Sequence, residues 1–200
     1  MKVDNWEFNR PVLLVIDMQN DFCHPNGWVA KHGGDISGSN AVIPKVGELI
    51  ELARDKKIPI IHTQIALTDE TGGWWFELRP LYKKGGIRRG TWGADFVDEL
   101  KPQPRDYVVE KHRFSAFIGT YLEILLRGLK ADFLFICGVA THLCVESTIR
   151  DAAQRDYPLA LVKDCTASYS IEFQKATEKA VEYGFGKVIS LEEVKKSLES

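Results

Sequence analysis

Val12-Leu13-Leu14-Val15-Ile16, running straight into Asp17-Met18-Gln19-Asn20-Asp21-Phe22 (VLLVIDMQNDF, residues 12–22), is the stretch that decides the fold. Five consecutive aliphatic residues without polar alternation, bounded by Pro11 and Asp17, read as a short strand buried on both faces. Such a strand belongs inside a parallel sheet covered by helices on each side, and the rest of the chain should then alternate strand and helix. Further strands are expected at Ile58–Thr63, Asp106–Glu110, Phe133–Cys137, Leu159–Val162 and Lys187–Ser190. Between them, Ile43, Val46, Ile50 and Ala53 mark one face of a helix, and Tyr121–Leu129, Leu143–Arg155, Phe173–Tyr183 and Leu191–Leu198 mark others. Ser190 with Glu193 three residues on forms a capping box for the last of these. The expected fold is a single α/β domain over residues 1–200, with its sheet between two helical layers.

Composition narrows the class of function. The 200 residues carry 44% hydrophobic and 27% charged side chains and a formal charge of −2. This balance fits a globular domain and argues against a strongly basic nucleic-acid binder or an acidic disordered chain. No apolar run approaches the roughly 18 residues of a membrane span, and the polar MKVDNWEFNR start lacks the apolar core of a signal peptide. A cytoplasmic protein without nucleic-acid or membrane partners is the expectation. Its four cysteines, Cys23, Cys137, Cys144 and Cys165, form no CxxC pair and are expected as free thiols.

Parallel sheets place their sites at the carboxyl ends of strands. Asp17 follows the first strand, Lys111 follows the third, and Cys144 lies just beyond the fourth, near the start of a helix. A thiol becomes a nucleophile as the thiolate, which a helix start and a lysine both favour. A carboxylate beside it can take the thiol proton and deliver it to a leaving amine. One stretch interrupts the alternation. Residues 68–92 (TDETGGWWFELRPLYKKGGIRRGTW) are rich in Gly, Trp and Arg, have weak periodicity, and read as a long functional loop.

VLLVIDMQNDF (12–22), EKHRFSAF (110–117) and CGVATHLCVESTIRDA (137–152) together resemble the isochorismatase-like cysteine hydrolase superfamily, over about residues 12–190. The resemblance implies a three-layer α/β/α, Rossmann-like sandwich with a six-stranded, mostly parallel sheet. It implies a catalytic set of Asp17, Lys111 and Cys144, a cis peptide between Val139 and Ala140, and an oxyanion hole made by the backbone N–H groups of Ala140 and Cys144. Assembly as a homodimer or homotetramer is also implied. Nicotinamidases of the superfamily hold a metal through Asp and His after the second strand. Thr63-Gln64-Ile65-Ala66-Leu67 stands there in this chain, so neither metal nor cofactor is expected, and His62 reads as a core residue. Isochorismatases proper act on a vinyl ether, and some lack the nucleophilic cysteine that this chain has.

The third branch, the ureidoacrylate, N-carbamoylsarcosine and biuret amidohydrolases, is the most similar. Gly90-Thr91-Trp92, Val97-Asp98-Glu99-Leu100, Pro102-Gln103-Pro104 and Cys144-Val145-Glu146-Ser147-Thr148 carry that likeness. The expected reaction is hydrolysis of a small amide or carbamoyl (ureido) compound through a thioester, with ammonia released. A vinyl-ether hydrolase and a nicotinamidase are the alternatives. Phe22, Trp28, Trp74, Trp75 and Tyr169 are candidates for an aromatic pocket wall. Arg88 and Arg89 are candidates for holding a substrate carboxylate.

Overall fold

A computed structural model describes residues 1–199. A two-stranded antiparallel ribbon, β1 (Lys2–Val3) and β2 (Trp6–Glu7), precedes the main sheet. The sheet comprises β3 (Pro11–Ile16), β4 (Ile60–Ile65), β5 (Tyr107–Lys111), β6 (Phe133–Val139), β7 (Leu159–Ala167) and β8 (Lys187–Ile189). All its pairings are parallel, in the order β5-β4-β3-β6-β7-β8. The six expected strands are all present, with β6 and β7 running further than their apolar runs suggested.

The continuous apolar run at 12–16 has a direct structural cause. Alternate side chains of β3 enter different cores: Leu13 and Val15 on one face, Val12, Leu14 and Ile16 on the other. Phe133, Phe135, Cys137 and Val139 of β6 likewise join the first core, and Leu134 and Ile136 the second.

The helices in chain order are α1 (Asn20–Cys23), α2 (Trp28–Lys31), α3 (Ser37–Ala41), α4 (Ile43–Asp55), α5 (Asp69–Leu78), α6 (Pro80–Lys83), α7 (Leu122–Gly128), α8 (Glu146–Ala153), α9 (Ile171–Gly184) and α10 (Leu191–Glu199). Helices α4 and α10 cover the first face, and α7, α8 and α9 the second. The expected stripe on α4 is buried: Ile43, Val46, Ile50 and Ala53 are each at most 9% exposed, and Leu49 is buried with them. The Ser190–Glu193 capping box forms, with Ser190 N–H donating to Glu193 Oε2 (2.7 Å) and Glu193 N–H to Ser190 Oγ (3.3 Å).

Residues 68–92 are not one long loop. They fold into α5 and α6, and the chain returns to bridge Leu67 with Arg88. The start of α5 is capped reciprocally by Thr68 and Thr71, a box built with threonine where glutamate is usual. Gly72-Gly73 obscured the periodicity, and Gly73 takes φ 46°, a kink in the helix that a side chain would oppose. Among the described residues no helix is long and apolar enough to cross a membrane.

Candidate active site

The sheet order reverses between β3 and β6, and the crevice at such a switch point is where doubly wound sheets hold their ligands. Asp17 leaves the end of β3 at φ 49°, in the left-handed region that aspartate tolerates better than most residues. The neighbouring β6 ends at Val139, followed by a cis Val139–Ala140 peptide and a π-helical turn, Thr141–Val145, that leads into α8. Cys144 therefore sits in that turn rather than in the α-helix expected over 143–155. Gly138 lets β6 and β3 come this close, since a Cβ there would lie 2.1 Å from Ile16 O.

Lys111 is the last residue of β5, and β4 lies between it and Asp17. Two strand spacings are roughly 10 Å, which a long side chain must span. Lys111 does so: its Nζ lies 2.7 Å from Asp17 Oδ2, and both side chains are fully buried. The remaining protons of the ammonium go to Arg113 O and Phe114 O, each at 3.0 Å. On the intervening strand Thr63 Oγ1 donates to Asp17 Oδ1 (2.6 Å) and accepts from Asp17 N–H (3.2 Å). Thr63 had no signal in the sequence, because a threonine in an apolar strand is ordinary.

The charges of both Asp17 and Lys111 act on the thiol of Cys144. Burial is the strongest influence on it and pushes its pKa up; Lys111 opposes this and Asp17 adds to it. Burial pulls on Lys111 in the opposite direction, but the charges of Asp17 and Cys144 outweigh it and hold the ammonium more firmly than usual. The arrangement is thus a buried thiol beside the Asp17–Lys111 ion pair. Cys144 O accepts from Thr148 Oγ1 (2.7 Å), whose oxygen accepts from Ala116 N–H (3.1 Å), fixing the turn to α8.

The polar residues after Asp17 brace the site. Gln19 spans Ile65 and Ala94, donating to Ile65 O (2.9 Å) and Ala94 O (2.6 Å) and accepting from Ile65 N–H (3.0 Å). Asn20 donates to Trp92 O (2.8 Å). Buried Asp21 accepts from the N–H groups of Trp28 and Ile87.

A narrow cavity of about 40 Å³ opens onto Cys144 and Ala140. Of the candidates, Phe22, Trp75 and Tyr169 line it, together with Tyr82, Phe114 and Arg79, which the sequence did not single out. Trp28 and Trp74 do not line it. Trp74 is 73% exposed, and Trp28 packs on His32 and on the backbone of Gly85 and Gly86. Neighbouring positions on a helix point apart by about 100°, so only one of the adjacent tryptophans can face inward.

Arg88 and Arg89 are also elsewhere. Arg88 pairs with Asp69 and lies over Phe76, while Arg89 pairs with Glu110. His62 is a packed residue, 3.4 Å from Asp106. All four cysteines are free and buried.

The isochorismatase domain model matches residues 11–193, nearly the whole chain. This chain belongs to the isochorismatase family. Among its relatives is the ureidoacrylate amidohydrolase RutB of Caulobacter segnis, 36% identical over 190 residues that cover 87% of this chain and 80% of that protein. The solved cysteine hydrolase from Pseudomonas syringae pv. phaseolicola 1448A superposes with a TM-score of 0.90 at 25% identity, covering 98% of this chain and 96% of that one. N-carbamoylsarcosine amidase from Thermoplasma acidophilum shares the fold, with a TM-score of 0.77 at 24% identity over 92% of this chain and 97% of that one.

Proposed function

We propose that this isochorismatase-family chain is a cysteine-dependent amidohydrolase that cleaves the C–N bond of a small amide or carbamoyl (ureido) compound and releases ammonia. The observation that carries the reading is the junction of Cys144, Asp17 and Lys111 in one buried cluster, with Cys144 lining a narrow cavity. The likeness to a ureidoacrylate amidohydrolase supports the choice of bond.

Cys144 Sγ attacks the carbonyl carbon while Asp17 takes the thiol proton. Collapse of the tetrahedral adduct breaks the C–N bond, and Asp17 returns the proton to the departing nitrogen as ammonia leaves. The acyl group remains on sulfur as a thioester. Asp17 then takes a proton from water as its oxygen adds to the thioester, and returns that proton to the departing sulfur. Products are the acid, or the carbamic acid when the substrate is a ureide, and the restored thiol. Lys111 holds Asp17 in place through their ion pair and stabilises charge growing on sulfur. Backbone N–H groups of Ala140 and Cys144 take the oxyanion; the turn's own hydrogen bonds from Leu143 and Val145 run to Ala140 O.

The test is ammonia release from ureidoacrylate, N-carbamoylsarcosine, biuret, nicotinamide and maleamate, with mass spectrometry of the quenched enzyme. Turnover of one of these, an acyl adduct on Cys144, and no turnover by folded Cys144→Ala are expected. Full activity in Cys144→Ala would overturn the covalent mechanism.

A further inference from the structure

Buried polar groups without partners are uncommon and call for an explanation. Two of them lie four residues apart near the end of α5: Trp75 Nε1 and Arg79 Nε are both buried and without a hydrogen-bond partner. Both residues line the cavity that opens onto Cys144. An indole N–H and a guanidinium have hydrogens to give and nothing to accept with, so an acceptor is what this wall lacks.

The chain itself does not supply one. None of the described residues lining the cavity is acidic, and Arg79 makes no ion pair with any described residue. Buried Asp21 has its two oxygens committed to Trp28 N–H and Ile87 N–H. Nearby groups feel this charge: Arg79 favours the ionised form of Tyr82, which lines the cavity, and opposes protonation of His142. Arg79 is held in place by its stacking on Phe114, 5.4 Å from guanidinium carbon to ring centre.

We propose that Trp75 and Arg79 form an anion subsite that binds a carboxylate at the far end of the substrate, so that the preferred substrates are small amides or ureides carrying a carboxylate. This rests on the amidohydrolase reading for which bond is cut, but its own content is the charge of the ligand. A carboxylate offers the lone pairs both donors need, and a guanidinium binds it through charge-assisted hydrogen bonds.

The experiment uses ureidoacrylate and its methyl ester, which keep one carbamoyl group and differ in charge. Ammonia release is measured for the wild-type chain, Arg79→Gln, Arg79→Lys and Trp75→Phe. The wild type is expected to prefer the acid in kcat/KM. Arg79→Gln is expected to lower the acid-to-ester ratio about 10- to 100-fold, mostly through KM. Arg79→Lys should recover part of the ratio, and Trp75→Phe should lower it by a smaller factor. Using a ratio cancels a general loss of folded enzyme.

Calorimetric binding of the same two compounds to Cys144→Ala separates this proposal from the amidohydrolase reading. If the acid binds more tightly than the ester but the wild type turns over neither, the reading of the reaction fails and the subsite stands. A wild-type chain that binds acid and ester equally, or an Arg79→Gln variant with an unchanged ratio, overturns the subsite.

Discussion

The floor and the wall of the cavity are built on opposite principles. At the floor, every charge is answered: Asp17 has Lys111 and Thr63, and Lys111 has Asp17 and two carbonyls, all fully buried at the ends of three strands. At the wall, α5 and α6 present aromatic rings and a guanidinium whose polar atoms have no protein partner. A paired, rigid floor suits chemistry that must be the same in every turnover. An unanswered wall suits recognition, because the ligand completes it. On the proposed reading, the difference teaches where to look for each property: reaction type in the strand ends, substrate choice in the segment 68–92.

Mutations at the floor should break this division most sharply if it is wrong. Asp17→Asn keeps a side chain that tolerates the left-handed backbone and removes the base; kcat should fall by about 10²–10⁴ with the fold retained, as checked by circular dichroism and steady-state kinetics. Lys111→Met leaves a buried carboxylate without its counter-charge. It should cost about 3–5 kcal/mol in urea unfolding as well as most of the activity. Thr63→Val removes both side-chain hydrogen bonds to Asp17 and should cost roughly 1–3 kcal/mol of stability with a smaller drop in kcat, which would place Thr63 as a positioning residue.

Smaller effects test the sheet against the wall. Burial pulls the pKa of His62, on β4, down to about 4, so the imidazole is neutral in the folded chain near neutrality. An unfolded histidine binds a proton near pH 6.5, so the unfolded state holds more protons between those values. The stability from this group is fully present above about pH 6.5 and declines as pH falls towards about 4, by roughly 3 kcal/mol. Urea midpoints across that range should flatten in His62→Gln. The smallest contrast is between neighbours: Trp74→Ala should change stability by less than about 0.5 kcal/mol, whereas Trp75→Ala should weaken substrate binding and cost about 3 kcal/mol or more. Equal effects at 74 and 75 would mean that the wall is misassigned.

Legibility followed the same division. The strands were readable because burial on both faces demands unbroken aliphatic runs, as at 12–16 and 133–137, and the last helix because Ser190 and Glu193 advertise its start. Asp17, Lys111 and Cys144 were readable because each follows a strand within a motif. Thr63, Gln19 and Arg79 were not, since their roles depend on partners 46, 75 and more residues away or on the absence of a partner altogether. The α5 helix was hidden by its glycines and its threonine cap.

The sequence by itself determined the parallel sheet and its two covered faces, and it placed Asp17, Lys111 and Cys144 at or just beyond strand ends, because these depend on local hydrophobic period and on position after a strand. Only the tertiary structure decided which aromatics face the cavity, which arginine stands unpaired beside it, and that β4 lies between Lys111 and Asp17. Those depend on strand order and helix rotation. Both are set by packing between residues far apart in the chain, and no local pattern encodes them.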